Sequence, residues 1–398
     1  MKQDLATSRD SRFELLRILA MLSILTCHFV AFIPWGLEQE PGWRGSFFVT
    51  IDQFFGQIGV CYFFVLSGFF LTKRKFRWQR IARTIIQTFL YSAFLLLLSF
   101  ALHTIKPGFM GETLQWTRME IAQRIYKGLM PVFNNQYWFI TAYIIMLLFS
   151  PFVNLLFEYC NRCQIISLMV LLASFSLLPF ISFCGLKYNG LFWSPATYAV
   201  LCYMVGGYLA FYQKQKPLGG GHALLLVAAS GGISFTVLFL FIFIAQQQFK
   251  ISRFFAWTPR SIFGTIPLVP ISFVAVLLAS MLNSKIKQHD KRYTIIINGL
   301  ASTVFGIYLI HQNQSIGQLT WILASKISPV RPNGVLSLGG FSCVIIIIVF
   351  IILALMAWTF DHIIVYPIQN ALIHLIENYY FNNTHKIYAF KHVLNNNK

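Results

Sequence analysis

Long apolar runs, separated by short polar connectors that carry Gly or Pro, recur along the whole chain. The first is Phe13–Phe32, FELLRILAMLSILTCHFVAF, and others cover about 48–72, 83–103, 137–157, 165–183, 194–212, 222–245, 261–282, 295–324 and 337–366. Most reach the ~20 residues that a helix needs to cross the hydrocarbon of a bilayer. The pattern therefore predicts an all-α, polytopic membrane protein with about ten transmembrane helices. The ninth run is longer than a bilayer requires and is expected to be tilted or broken. Between the third and fourth runs the connector 104–135 holds Pro107, Gly108, Gly111 and the amphipathic stretch Glu112–Leu129, which reads as an interfacial helix.

Composition sharpens the class. Hydrophobic residues make up 57% of the chain and charged ones 11%, where a soluble domain carries ~25%. The mean hydropathy is +0.65, and no polar stretch is long enough for a separate soluble domain. The chain divides into a polar N-terminal segment 1–12, a transmembrane domain 13–366 and a tail 367–398 that includes Tyr388 and His392. No small-residue cleavage site follows the first run, so it reads as a retained helix. An even number of spans puts both termini on one side. Placing them in the cytoplasm leaves most of the Lys and Arg residues inside, including Lys73–Arg83 and Lys285–Arg292. The net charge of +19 does not imply nucleic acid, because no compact basic domain exists to hold it. Basic loops facing anionic lipid account for it, and a phosphorylated cytoplasmic ligand would use the same charges.

Polar residues inside apolar runs carry the candidate chemistry, since ionisable groups in hydrocarbon are costly and lean functional. The first run holds Glu14, Arg17 and His28. Eleven positions separate Arg17 from His28, about three helical turns, so both leave one face roughly 16 Å apart. A snorkelling arginine and a structural histidine would satisfy the same pattern. A second set, Asp52, Gln53, Ser67, Trp138, Tyr308, His311 and Asp361, lies within or beside other runs. Tyr308 and His311 share a helix face. Gln312, Asn313 and Gln314 then make a polar opening that is tolerable only where it lines a cavity or is buried in protein. On the cytoplasmic side Arg80 and Arg83 are three apart, and two such guanidinium groups suit a phosphate. The seven cysteines include one Cys160-x-x-Cys163, with no second pair or His cluster to make a zinc site, so no metal is expected. Walker, GxSxG and HExxH patterns are absent. A histidine with no charged relay fits a general base that takes a hydroxyl proton during attack on an activated acyl group. Coenzyme A is an acyl carrier rich in phosphate. A proton-coupled transporter would use the same residue types.

Several blocks together resemble the acyltransferase-3 family of integral membrane acyltransferases. They are Glu14-Leu15-Leu16-Arg17 with Arg17-x10-His28, Phe63-Phe64-Val65-Leu66-Ser67-Gly68-Phe69, Arg80-x-x-Arg83, Tyr137-Trp138-Phe139 and Tyr308-Leu309-Ile310-His311, in that order. The resemblance implies O-acyl transfer, usually of acetyl, from cytoplasmic acetyl-CoA to sugar hydroxyls of surface or exported glycans such as capsule, exopolysaccharide or O-antigen. By that likeness His28 is the catalytic base or acyl relay and Arg17 acts with it. Arg80 and Arg83 serve the donor, while Glu14, Ser67, Trp138, Tyr308 and His311 line a cavity between spans one, two and nine. Acetyl-CoA is then a substrate, with no cofactor bound. The partners are a glycan or lipid-linked sugar, the bilayer and no nucleic acid, with self-association left open. The short loops suit a bacterial plasma membrane. The chain departs from the family where a proline-rich turn often follows the paired arginines: it reads Thr84-Ile85-Ile86-Gln87, which puts the local helix start in question. A transporter or flippase for a polar lipid or sugar is the alternative, and a non-catalytic partner in a polysaccharide-export complex is a third.

Overall fold

A computed structural model describes residues 10–108, 116–177, 194–213, 220–249, 268–283, 291–327, 331–332 and 334–379. The helices are α1 (Ser11–Phe32), α2 (Trp43–Leu71), α3 (Trp78–Ile105), α4 (Arg118–Leu129), α5 (Trp138–Tyr159) and α6 (Arg162–Ser174), followed by α7 (Pro195–Tyr212), α8 (Gly220–Phe249), α9 (Leu268–Asn283), α10 (Lys291–His311), α11 (Gly317–Ser325) and α12 (Val335–Phe360). Among the described residues, seven helices are long and apolar enough to cross a membrane: α1, α2, α3, α5, and those over Gly221–Ile244, Arg292–His311 and Leu336–Tyr379. The chain is an all-α, multi-pass membrane protein. Of the other expected spans, Arg162–Ser174 and Leu268–Leu282 are shorter apolar helices that adjoin residues outside the described set, and Pro195–Tyr212 is the third. The basic residues at 285 and 287, Lys214, Lys216, Tyr388 and His392 also lie outside it, as does the first part of the expected interfacial helix.

Local chemistry explains the ends of these helices. Asp10 caps α1, accepting from the Arg12 backbone N–H at 3.0 Å, and the Arg12 guanidinium closes on the same carboxylate at 2.7 Å. The Arg12 hydrogen bond holds the Asp10 carboxyl below its ordinary range. The Trp78 start of α3 settles the question raised by Thr84–Gln87, which run as uninterrupted helix. The amphipathic helix after the third span is α4, with a reciprocal Thr117–Glu120 capping box. The ninth expected span is broken, into α10 and α11. Beyond α12 the chain passes through one π turn, Asp361–Val365, and stays helical to Tyr379. Pro367 lies just after that turn. Its ring would meet the carbonyl four residues back and it has no N–H to donate, and widening the helix by one residue accommodates both.

The core centres on α1 and α2, which pack along their length, with α7 on the far side of α2 and α10 against α1. Small residues allow the close approaches. A Cβ on Gly59 would stand 2.5 Å from the Ala20 carbonyl oxygen of α1. Gly68 of α2 faces the Tyr203 carbonyl of α7, and Gly206 of α7 faces the Val65 carbonyl of α2, each too close for any side chain. Lipid offers apolar side chains no advantage over one another, so such tight backbone packing is what binds membrane helices together.

Candidate active site

α1 carries its polar side chains at two levels. Near its start, Arg17 Nη1 donates to Glu14 Oε1 at 2.9 Å one turn back. Glu14 is buried and Arg17 half-buried, so the fixed positive charge expected from the sequence is neutralised within its own helix. Eleven residues on, His28 lies four residues from the end of α1.

The two histidines meet directly. His311 Nε2 and His28 Nδ1 are 3.0 Å apart, His311 Nδ1 and the Ile307 carbonyl oxygen 2.6 Å, and Gln312 Nε2 and His28 Nε2 2.7 Å. With both rings neutral, one proton arrangement satisfies all three contacts. A carbonyl only accepts, so His311 Nδ1 carries a hydrogen and its Nε2 presents a lone pair. His28 Nδ1 must then donate to that lone pair, which leaves His28 Nε2 as an acceptor for the Gln312 amide. His28 is thus oriented from one side by His311, and its basic nitrogen points at a carboxamide.

The break after α10 holds this chain in place. Asn313, 2% exposed, donates from Nδ2 to the Tyr137 hydroxyl at 2.9 Å, and its Oδ1 accepts from the Ser315 and Ile316 backbone N–H groups. The Tyr137 hydroxyl donates in turn to the Leu309 carbonyl at 3.0 Å. A Cβ on Gly317 would stand within contact of the His311 carbonyl, so only glycine lets α11 begin there. α11 then places buried Trp321 against Phe29, the neighbour of His28. At the break Asn313 is buried with its side chain paired, while the neighbouring Gln314 is exposed.

The other expected residues divide. Tyr308, one turn before His311, is buried with its ring against His311, Tyr137 and Phe139. Trp138 opens α5 immediately after Tyr137, on the histidine side of the molecule. Ser67 is not brought to the histidines. Gly56 of α2 faces Cys27, and Ser67 lies eleven residues further on, about 16 Å along the helix. Its hydroxyl donates to the Phe63 carbonyl of its own helix. Asp52 accepts from the Cys27 thiol at 2.9 Å and from Gln53. Asp361 is a separate buried group that accepts from Gln87 and Tyr91 of α3. The contact expected between spans one, two and nine is thus made by α1 and α10, buttressed by Tyr137, with α2 behind.

The paired arginines face different ways. Arg83 Nη1 donates to Asn370 Oδ1 at 3.2 Å, on the helix that continues α12. Arg80 is half-buried, within electrostatic reach of Arg74, Arg77, Tyr143 and Tyr203. Arg74, Lys75, Arg77 and Arg80 form no ion pair among the described residues, whereas Lys73 is tied to the Ala210 carbonyl at 2.6 Å. The sequence reading did not number Tyr137, Gln312 and Asn313 among the site residues. The polar run after His311 was their signal, and the Tyr137 contact, 176 positions distant in sequence from Asn313, had none.

A family model described as an acyltransferase domain, that of the acyltransferase-3 family, matches residues 10–359. No curated protein and no solved structure gives a significant match. The match runs from the cap of α1 almost to the end of α12 and takes in both histidines, so this membrane protein belongs to the acyltransferase-3 family.

Proposed function

We propose that the protein is a membrane O-acetyltransferase that moves an acetyl group from cytoplasmic acetyl-CoA to a sugar hydroxyl of a surface or exported glycan. The observation that carries this reading is His28 Nε2, an oriented lone pair at a polar break in otherwise apolar helices. In the proposed reaction an acceptor hydroxyl gives its proton to His28 Nε2 as its oxygen bonds to the thioester carbonyl carbon. The C–S bond then breaks, and the CoA thiolate leaves and takes the proton from His28. The imidazolium formed in between is stabilised by its Nδ1–H bond to the neutral His311 ring.

The donor end follows from charge. Arg74, Lys75, Arg77 and Arg80 suit the phosphates of CoA, because guanidinium groups bind phosphate bidentately and hold their charge. A donor held there by its phosphates would extend its pantetheine arm along α1, past Arg17, towards His28. Arg17, already paired with Glu14, would contribute hydrogen bonds rather than net charge. We assign the membrane to the bacterial plasma membrane on the same reading.

The test is the O-acetyl content of the source organism's surface glycans, by proton NMR, in three strains: a deletion, the deletion restored with wild type, and the deletion restored with His28→Ala at matched protein level. Acetyl signals should vanish on deletion, return with wild type and stay absent with His28→Ala. Loss of the glycan itself would instead favour a transporter. Acetylation that survives in all three strains would refute the proposal.

A further inference from the structure

The proton arrangement around His28 gives Gln312 a part that the proposed reaction has not used. Gln312 Nε2 stands 2.7 Å from the one lone pair that the reaction needs. Whatever donates a hydroxyl proton to His28 must occupy the same place, because a ring nitrogen has a single in-plane lone pair. The amide is also well placed to hold that position. It follows directly on His311, its backbone N–H donates to the Tyr308 carbonyl at 3.1 Å, and the next residue is the buried Asn313 that pins the break. Gln312 and His311 therefore grip the His28 ring at its two nitrogens, and both come from the same end of α10.

We infer that Gln312 is a positioning residue that holds the His28 Nε2 lone pair in the site of the acceptor hydroxyl and yields that site when the acceptor arrives. The inference rests on the reading of His28 as base. In the resting protein the amide keeps the ring in one tautomer and satisfies its lone pair. When the acceptor hydroxyl replaces it as donor, the amide N–H is released beside the reacting oxygen, while His311 still orients the ring at Nδ1. Binding of acceptor and loss of the Gln312 contact are thus one event. The tautomer that accepts the proton is already set before the acceptor enters, so no ring flip precedes the chemistry.

The test uses two variants of similar side-chain volume, Gln312→Glu and Gln312→Met, in the full protein in lipid nanodiscs. Glu keeps the shape but turns a donor into an acceptor, and Met removes the polar group. The first readout is nitrogen NMR of 15N-histidine-labelled protein, with the His28 signals assigned by their loss in His28→Gln. Wild type should show His28 with protonated Nδ1 and hydrogen-bonded, unprotonated Nε2. The Nε2 shift should move to that of an unbonded lone pair in Gln312→Met, and Nε2 should carry a proton in Gln312→Glu. In Gln312→Met the His311 signals, unchanged, report that the break is intact. Wild-type Nε2 that is protonated, or that is unmoved in Gln312→Met, overturns the inference whether or not the protein transfers acetyl.

The second readout is steady-state transfer. In both variants kcat should fall by about 10²-fold, the scale of a lost preorganised donor, and in Gln312→Met the acceptor KM stays level or drops because no amide has to be displaced. A role in packing alone would leave Gln312→Glu and Gln312→Met close to wild type. A role in binding the acceptor would raise KM at unchanged kcat. Either result overturns the inference. Wild type that transfers nothing to any glycan, with the NMR as expected, would strike the proposed function and leave the His28–Gln312 contact established.

Discussion

The two ends of α1 solve the same problem in different ways. At its start, Glu14 and Arg17 neutralise each other across one turn of one helix, so the pair would form on an isolated α1 as well. Near its end, His28 is held by residues 283 and 284 positions away, on a different helix that breaks at that point. The first end is local and self-contained. The second is assembled by the fold and sets His28 Nε2 against the Gln312 amide. A group poised for chemistry belongs at the second kind of place, because what is held by tertiary contacts can be exchanged for a substrate without unfolding a helix.

The contrast gives graded predictions. The largest effect is expected from His28→Ala, which should lower transfer by about 10²–10⁴-fold, the contribution of a positioned general base, with little change in thermal stability. If stability falls as much as activity, His28 is structural and the two ends are alike. Next is His311→Ala, which frees the ring to adopt the other tautomer. Transfer should drop by roughly 10–100-fold, as for orienting partners of histidines elsewhere, and nitrogen NMR of the labelled protein should show mixed tautomers at His28.

At the other end the effects should appear in stability first. Arg17→Ala strands the buried Glu14, whereas Glu14→Gln leaves an arginine that can reach towards water. Arg17→Ala should therefore cost more, on the order of 1–3 kcal/mol after allowing for the partial exposure of Arg17, and the double variant Glu14→Gln/Arg17→Gln should recover part of that loss. Thermal unfolding in detergent distinguishes these. Equal losses in the two single variants would mean that burial is not what sets the cost.

The smallest effect concerns Asp10 and acid. Arg12 depresses the folded Asp10 carboxyl below its unfolded value, so its contribution is fully present above the unfolded pKa and is lost as pH falls through the folded one. Wild type should exceed Asp10→Asn in thermal midpoint at neutral pH by a degree or so, about the cost of a weakened cap. The gap should close on acidification. A gap that widens in acid would reverse the sign and refute the pairing.

Much of this was legible in the sequence, for identifiable reasons. Apolar runs of bilayer length announce spans, and the two starts that sequence blurred, Trp43 and Trp78, lie where interfacial aromatics and basic residues flank the runs. The excess length of the ninth run, together with Gln312-Asn313-Gln314, pointed to a break, and the break is there. His28 and His311 were both legible as polar intruders in apolar helices. Their direct contact was not, since helical periodicity fixes a face but never the partner across it. For the same reason Arg80 and Arg83, neighbours by spacing, turn to different surroundings. Ser67 belongs to a block whose glycine matters more than its hydroxyl: Gly68 touches α7, while Ser67 bonds back to its own helix.

The glycine crossing of α2 and α7 also limits how the molecule can move. At Gly68 and Gly206 each helix presses its backbone on a carbonyl of the other, Tyr203 on one side and Val65 on the other. Sliding by one residue would drive Ser67 or Val205 into that gap, and rolling would do the same with Phe69. The joint has no clearance for either, so α2 and α7 travel as a single strut, and α1 leans on that strut through Gly59. Any opening that admits a substrate to His28 would then leave that joint closed and part α1 from α10, whose contacts with His28 are side-chain hydrogen bonds.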